Sequence, residues 1–283
     1  MLNAELADIP LVASYLDADG KLIAVVDKDG NDTKEGYAKK IKDLVDNDIE
    51  LSVHMGYFER ESCTYRDSNC DPLYGGIKMY QSIYPLTNGI GATNNNGVVG
   101  FVTSSHAVGS GTGQDVMQGG TSSTYKVGDV LTNPSLNGRY SDAAFVDLNT
   151  VNGETTTNKI YRTSSTYYTA SSTGTPGYGT HIQKTGYQSG ETDGYVIGTG
   201  LTVYDATYGS LVDQYAADYT SVTGDSGSPV YSYRTTEGPV TLYGIHVGKV
   251  CLVSTSPCPS GYDVTVFSKW INVKNELGLN TVP

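Results

Sequence analysis

From residue 74 onward the chain keeps one texture: short apolar runs separated by clusters of Gly, Asn, Ser and Thr. Residues 90–93, 98–102, 143–148, 194–203 and 240–247 read as strands, because apolar and β-branched residues bounded by turn formers suit a pleated, half-buried surface. The regular return of turn signals predicts a barrel or a sandwich. The long polar stretches 110–124 and 164–180 are expected to be surface loops. Near the end, Phe267, Trp270, Ile271 and Leu277 fall on one helical face and Gly278 follows as a C-terminal cap, which predicts a last helix.

Residues 1–62 read differently. Leu11-Val12-Ala13-Ser14-Tyr15, a turn at 17–20 and Leu22-Ile23-Ala24-Val25-Val26 predict a hairpin. Asp32 with Glu35 three residues on forms a capping box. Tyr37, Ile41, Leu44 and Val45 then follow at helical spacing, so an amphipathic helix is predicted over 33–46. A further strand is expected over 49–58. Lysine and glutamate concentrate here as they do not later. The pattern divides the chain into a small α+β segment, 1–62, and a mostly β domain, 63–283.

Composition agrees with the strand-rich reading. Hydrophobic residues make up 38% and charged residues 17% of the 283 positions, so the polarity comes from Gly, Ser, Thr, Asn and 23 tyrosines. A net charge of −12 argues against nucleic acid or an anionic membrane as the main partner. No run reaches the length of a membrane span, and Met1-Leu2-Asn3-Ala4-Glu5 does not open a signal peptide, so any leader is expected outside this numbering. The four cysteines fall as two close pairs, Cys63 with Cys70 and Cys251 with Cys258, and neither spacing is Cys-x-x-Cys. With only four histidines present, a zinc site is disfavoured. Two local disulfides are expected instead, and with them an oxidising compartment.

The candidate chemistry centres on Thr223-Gly224-Asp225-Ser226-Gly227-Ser228-Pro229-Val230. Glycines at 224 and 227 free the backbone for a tight turn. Such a turn can aim the N–H groups of Gly224 and Ser226 at one point, where a developing oxyanion is held. Ser226 is a poor nucleophile by itself and needs a base within hydrogen-bond reach. The string Gly-Asp-Ser-Gly-Ser-Pro resembles the nucleophile loop of the chymotrypsin-fold serine proteases. His106, at the end of Gly100-Phe101-Val102-Thr103-Ser104-Ser105-His106-Ala107, resembles that family's base-bearing segment, with Ala107 where a cysteine usually follows. Asp142, just before the apolar run Ala143-Ala144-Phe145-Val146, resembles its carboxylate segment more closely than the rivals Asp129 and Asp147. The order His106, Asp142, Ser226 is the chymotrypsin order.

Further segments are similar to the α-lytic protease and streptogrisin group. Lys184-Thr185-Gly186-Tyr187-Gln188-Ser189-Gly190 resembles a segment that carries a cysteine where Ser189 stands, and Thr220 occupies the place of that cysteine's partner. Tyr243-Gly244-Ile245-His246-Val247-Gly248 resembles the strand that walls the specificity pocket, and reads as in the glutamyl-endopeptidase branch at Gly-Ile-His. His246 could donate to a substrate carboxylate, or it could merely fill the pocket floor. The resemblance implies two six-stranded antiparallel β-barrels with a C-terminal helix, and substrate contacts from Thr220, Thr223, His246, Val247 and Gly248. It implies a secreted peptidase acting on polypeptides through an acyl-enzyme with no metal or organic cofactor, and a preference for Glu before the scissile bond. The hairpin–helix–strand order of 1–62 resembles the last lobe of that group's pro-region, which assists folding and then inhibits the enzyme. An unrelated small α+β domain is the competing reading. Asp225 is expected to pair with a buried cation, with Arg139, Arg162 and Arg234 as candidates. His54 and His181 are expected to be structural or exposed. Two rival functions remain open: a protease-like binding module without turnover, and a Tyr/Thr/Gly-rich surface adhesin in which His106 and Ser226 have no reason to meet.

Overall fold

Alternating apolar positions bring most of this chain into sheets. The computed structural model describes residues 9–16, 19–27, 30–45, 48–56, 63–135, 137–148, 153–205, 209–253, 261 and 263–280. Contacts divide the chain into two units, Met1–Arg60 and Glu61–Pro283.

The first unit holds β1 (Leu11–Leu16), β2 (Leu22–Asp27), α1 (Lys34–Lys42) and β3 (Leu51–Gly56). β2 pairs antiparallel with β1 and parallel with β3, and α1 supplies the crossover that a parallel pair requires. The N-cap is Thr33, whose Oγ1 accepts from the Gly36 amide at 3.1 Å, so the cap falls one residue after the expected Asp32. Asp32 instead pairs with Lys40 at 2.8 Å, about two helical turns further along. The helix stops at Lys42, short of the expected 46. Tyr37 and Ile41 bury against Ala24, Val26 and Val53 to form the core of this unit.

The second unit is mostly β. In order it contains β4 (Leu73–Gly75), β5 (Lys78–Gln81), β6 (Tyr84–Thr87), β7 (Ile90–Thr93), β8 (Val99–Thr103), the single-turn α2 (Ser105–Val108), β9 (Asp115–Met117) and β10 (Lys126–Thr132). Then come β11 (Ala144–Leu148), β12 (Thr156–Thr163), β13 (Thr166–Thr173), β14 (His181–Gly186), β15 (Gly190–Asp205) and β16 (Gly209–Ala217). β17 (Pro229–Ser232), β18 (Gly238–Cys251), β19 (Asp263–Lys269) and α3 (Trp270–Leu277) close it. One sheet has seven strands in the order β6-β5-β9-β10-β11-β8-β7, and the other has nine in the order β17-β14-β15-β16-β19-β18-β13-β12-β4. β17 also pairs with β18, which turns that end of the larger sheet back on itself.

These sheets differ from the two closed six-stranded barrels expected. The smaller one is open, with β6 and β7 at its edges. The larger one is extended by β12, β13 and β4. β13 lies within 164–180, which the sequence reading gives to a loop; its Thr, Tyr and Ser residues are polar, yet Thr and Tyr suit a strand, and Tyr168 is fully buried. In α3 the buried face is Trp270, Val273 and Leu277, whereas Ile271 is 49% exposed and Phe267 belongs to β19. Each fully buried apolar side chain of this kind contributes about 1.5–3 kcal/mol. Gly278 caps the helix in the left-handed conformation, as its place in the sequence predicts. Cys63 and Cys70 form a disulfide. Cys251 is also disulfide-bonded, while Cys258, its expected partner, lies outside the described residues. Among the described residues no helix is long and apolar enough to cross a membrane.

Candidate active site

The β8–β11 ladder brings the first two groups together. Thr103 pairs with Ala144, so Ser104-Ser105-His106 and Asp142-Ala143 run off the same end of one antiparallel pair. The His106 amide donates to Asp142 Oδ1 at 2.9 Å, and ring Nδ1 meets Oδ2 in a short contact. The His106 side chain is 26% exposed and that of Asp142 1%. Burial alone raises the Asp142 carboxyl, but the charge and hydrogen bonds of His106 hold it below the usual carboxylate value. The rivals lie elsewhere: Asp129 pairs with Lys126 at 2.7 Å, and Asp147 accepts from the Asp129 amide at 3.1 Å.

Ser226 reaches the same point from the larger sheet, on the turn between β16 and β17. His106 Nε2 and Ser226 Oγ lie 3.0 Å apart. The turn needs its glycines, since Gly224 and Gly227 have φ of +101° and +93°. A Cβ on Gly227 would also collide with Thr103 Oγ1 and the Thr87 carbonyl. The Thr87 amide donates to the Ser226 carbonyl at 2.9 Å, and Thr87 Oγ1 donates to the Gly224 carbonyl at 2.9 Å. From β18, the His246 amide donates to the Ser228 carbonyl at 2.8 Å, and the Gly227 amide donates to the His246 carbonyl at 3.0 Å. The turn from Gly224 to Ser228 is thus pinned between both sheets. Among the described residues, no protein acceptor takes the Gly224 or Ser226 amide.

Asp225 points the other way, into the protein. Its partner is none of the three arginines proposed from the sequence but Lys184, which donates from Nζ to Oδ2 at 2.8 Å with both side chains fully buried. Arg139 serves Glu276, Arg162 lies 3.7 Å from Glu191, and Arg234 donates to the carbonyls of Thr236 and Glu237. The Asp225 carboxylate further accepts from the amides of Ser189 at 3.1 Å and Val222 at 3.0 Å. Burial opposes its charge, but Lys184 and these bonds hold it below the usual carboxylate range. Burial likewise pulls Lys184 down, against the upward pull of Asp225. Ser189 Oγ accepts from Lys184 Nζ, so the serine that replaces the expected cysteine joins this network. Thr220, in the place of the other cysteine, is exposed, and its carbonyl accepts from Thr192 Oγ1 at 2.7 Å.

His246 is 2% exposed, with Nδ1 2.9 Å from the Tyr219 hydroxyl. Burial, then the nearby Lys184 charge, push it down to about 3, so the imidazole is neutral at ordinary pH. Thr223 is exposed, one residue before Gly224. Val247 and Gly248 line a cavity of about 180 Å³ with His106, Asp142, Val203 and Leu211. Ser226 Oγ lies 3.4 Å from the Val247 carbonyl. The other two histidines take local partners: His54 meets Ser52 Oγ at 3.1 Å, and His181 meets Asp193 at 2.8 Å between the stacked rings of Tyr195 and Tyr233.

Two supports of Asp142 have no motif of their own. The Asp142 amide donates to Ser268 Oγ at 2.9 Å, and that hydroxyl donates to Gln214 Oε1 at 2.7 Å. Glu276, on α3, accepts from Arg139 Nε at 3.2 Å, the Tyr140 amide at 2.8 Å, the Ser141 amide at 3.0 Å and Ser141 Oγ at 2.6 Å. The last helix thereby grips the three residues that precede Asp142. Tyr219, Ser268 and Glu276 belong to no motif, and Lys184 heads one that assigns it no partner, because each acts through a fold contact distant in sequence.

No protein-family model matches the chain, and no curated protein matches it. Its fold, however, is that of the chymotrypsin-like serine proteases. Thermobifida fusca Protease A superposes with a TM-score of 0.59 at 22% identity, over 75% of this chain and 98% of that one. Nocardiopsis protease gives 0.57 at 24%, over 74% and 100%. A glutamic acid-specific serine protease gives 0.58 at 19%, over 73% and 98%.

Proposed function

We propose that the chain is an exported serine endopeptidase in which Ser226, His106 and Asp142 carry the reaction. The observation that supports this best is the 3.0 Å approach of His106 Nε2 to Ser226 Oγ, with a buried carboxylate on the other ring nitrogen. Ser226 Oγ attacks the peptide carbonyl carbon while His106 Nε2 takes its proton. The oxyanion accepts from the Gly224 and Ser226 amides. His106 then gives the proton to the leaving nitrogen as the C–N bond breaks, leaving an acyl-serine. Water, deprotonated by His106, releases the acid and restores Ser226. Asp142 keeps Nδ1 protonated and favours the imidazolium that forms at each proton transfer. No step needs a metal or organic cofactor.

The acyl part of the substrate lies along β18 beside Val247 and Gly248, with Thr220 and Thr223 at the rim. Glu before the scissile bond is the preferred residue, read by His246. A glutamic acid-specific protease of this fold is described as using a histidine triad in substrate binding. Here His246 rests on Tyr219 instead, and a Tyr219 hydroxyl donating to Nδ1 leaves the Nε2 proton to donate to a carboxylate. The segment 1–62 acts as a pro-region on the protease domain 63–283. The Cys63–Cys70 disulfide supports an oxidising, extracellular setting. Labelling by a fluorophosphonate probe, lost in Ser226→Ala, with hydrolysis of quenched peptides tests the assignment; an unlabelled protein that cleaves no peptide refutes it.

A further inference from the structure

A second cleft, of about 390 Å³, opens in the protease unit and is lined by Arg66, Lys78, Arg162 and Tyr187, with Tyr65, Asp67 and Tyr161 around them. Its charge runs against the rest of the chain, which carries a net −12. Arg162 is already engaged, 3.7 Å from Glu191 and donating to the Thr235 carbonyl at 2.7 Å. Arg66 and Lys78 are held differently. Arg66 sits in the loop closed by the Cys63–Cys70 disulfide, stacks 5.1 Å from the Tyr161 ring centre and donates to the Arg162 carbonyl at 3.3 Å. Lys78 Nζ lies 4.8 Å and 5.0 Å from the ring centres of Tyr80 and Tyr187. Among the described residues neither cation has a carboxylate at ion-pair distance, and the acid that lines the cleft, Asp67, is exposed.

Tyr187 joins this cleft to the candidate active site. Its ring packs where a side chain on Gly224 would stand, and its amide donates to Thr87 Oγ1, which in turn holds the Gly224 carbonyl. On the proposed reading, the acyl part of a polypeptide lies along β18 on one flank of Ser226. The leaving part must then depart in the opposite direction, past Gly224 and Thr87, where Tyr187 is the wall. We propose that this cleft is a subsite for an acidic side chain of the substrate on the leaving-group side, two or three residues beyond the scissile bond. Arg66 and Lys78 supply the charge-assisted donors, and the tyrosine rings hold both cations in place while limiting their hydration.

The inference rests on the peptidase reading, so its test separates the two. Quenched peptides identical except for Glu, Ala or Lys at the second and third positions after the scissile bond are compared with a p-nitroanilide, which has no residues there. The Glu peptide is expected to be cleaved with kcat/KM about tenfold above the Ala peptide, and Lys78→Glu is expected to reverse the order in favour of the Lys peptide. That reversal is a gain that misfolding does not produce. Hydrolysis of the anilide with all three peptides cleaved alike, or an acidic preference that survives Lys78→Glu, overturns the subsite and leaves the peptidase standing. No hydrolysis of any substrate overturns the peptidase, and the subsite with it.

Discussion

Lys184 and Asp225 form an ion pair of 2.8 Å in which neither side chain has any solvent exposure. The pair anchors Asp225, the residue before Ser226, to β14, so the orientation of the Gly224–Gly227 turn depends on a charge placed 41 positions earlier. Removing one partner of a buried pair leaves the other charge uncompensated. Lys184→Met is therefore expected to cost about 3–5 kcal/mol of stability, whereas an exposed pair such as Lys249 with Asp263 contributes little. Urea unfolding of the variants of each pair measures the contrast.

The same carboxylate sets a pH dependence. Asp225 titrates in the folded protein below its ordinary value of 3.8, as does Asp142. Groups depressed in this way stabilise the fold fully above the unfolded value and lose that contribution as pH falls through the folded one. Their stabilisation should stay level from pH 7 to 5 and decline below about pH 4. Asp225→Asn, combined with Lys184→Met, should flatten that decline in a series of melting curves.

Ser226→Ala should abolish peptide hydrolysis, by about a million-fold, while the melting temperature stays close to that of the parent. Among the described residues Ser226 Oγ makes only the His106 bond and a weak 3.4 Å contact with the Val247 carbonyl, so little packing is lost. Activity retained in the alanine variant, measured with active-site titration to exclude contamination, would remove Ser226 from the reaction.

Specificity should follow the His246–Tyr219 pair. Cleavage after Glu is expected to exceed that after Leu, Phe or Arg by roughly ten- to a hundredfold, the scale of one charge-assisted hydrogen bond. His246→Ala should erase the margin. Tyr219→Phe should narrow it, because a ring without its Nδ1 partner no longer holds one tautomer. A peptide panel cleaved best after large apolar residues, with both variants indifferent, leaves His246 as filling for the pocket floor.

If residues 1–60 act as a pro-region, a chain beginning at Glu61 should refold in lower yield, and the separate 1–60 segment added to active enzyme should inhibit it. Equal yield and no inhibition identify an unrelated small α+β unit.

The Gly224–Gly227 turn and the strand-end places of His106 and Asp142 are legible because each depends on neighbours close in sequence. Glycines set the Gly224–Gly227 turn locally, and His106 and Asp142 each adjoin an apolar strand. Lys184 was not legible. It lies in β14 between Gln183 and Thr185, in a run that looks exposed by composition yet is wholly buried. Nothing local distinguishes it from the candidates Arg139, Arg162 and Arg234 as the cation that meets Asp225. β13 was missed for a related reason, since Ser and Thr read as loop residues until a neighbouring strand supplies the ladder. The strand count of each sheet depends on which edges meet, and no local pattern encodes that.

Glu276 carries a consequence for the order of synthesis. The four hydrogen bonds it takes from residues 139–141 come from a helix translated after His106, the Gly224–Gly227 turn and β18. A nascent chain can therefore already hold Ser226 and His106 while the loop bearing Asp142 is still slack. On the proposed peptidase reading, hydrolytic competence then arrives with the final helical turn, and the unfinished chain and its neighbours are spared a half-built cutter.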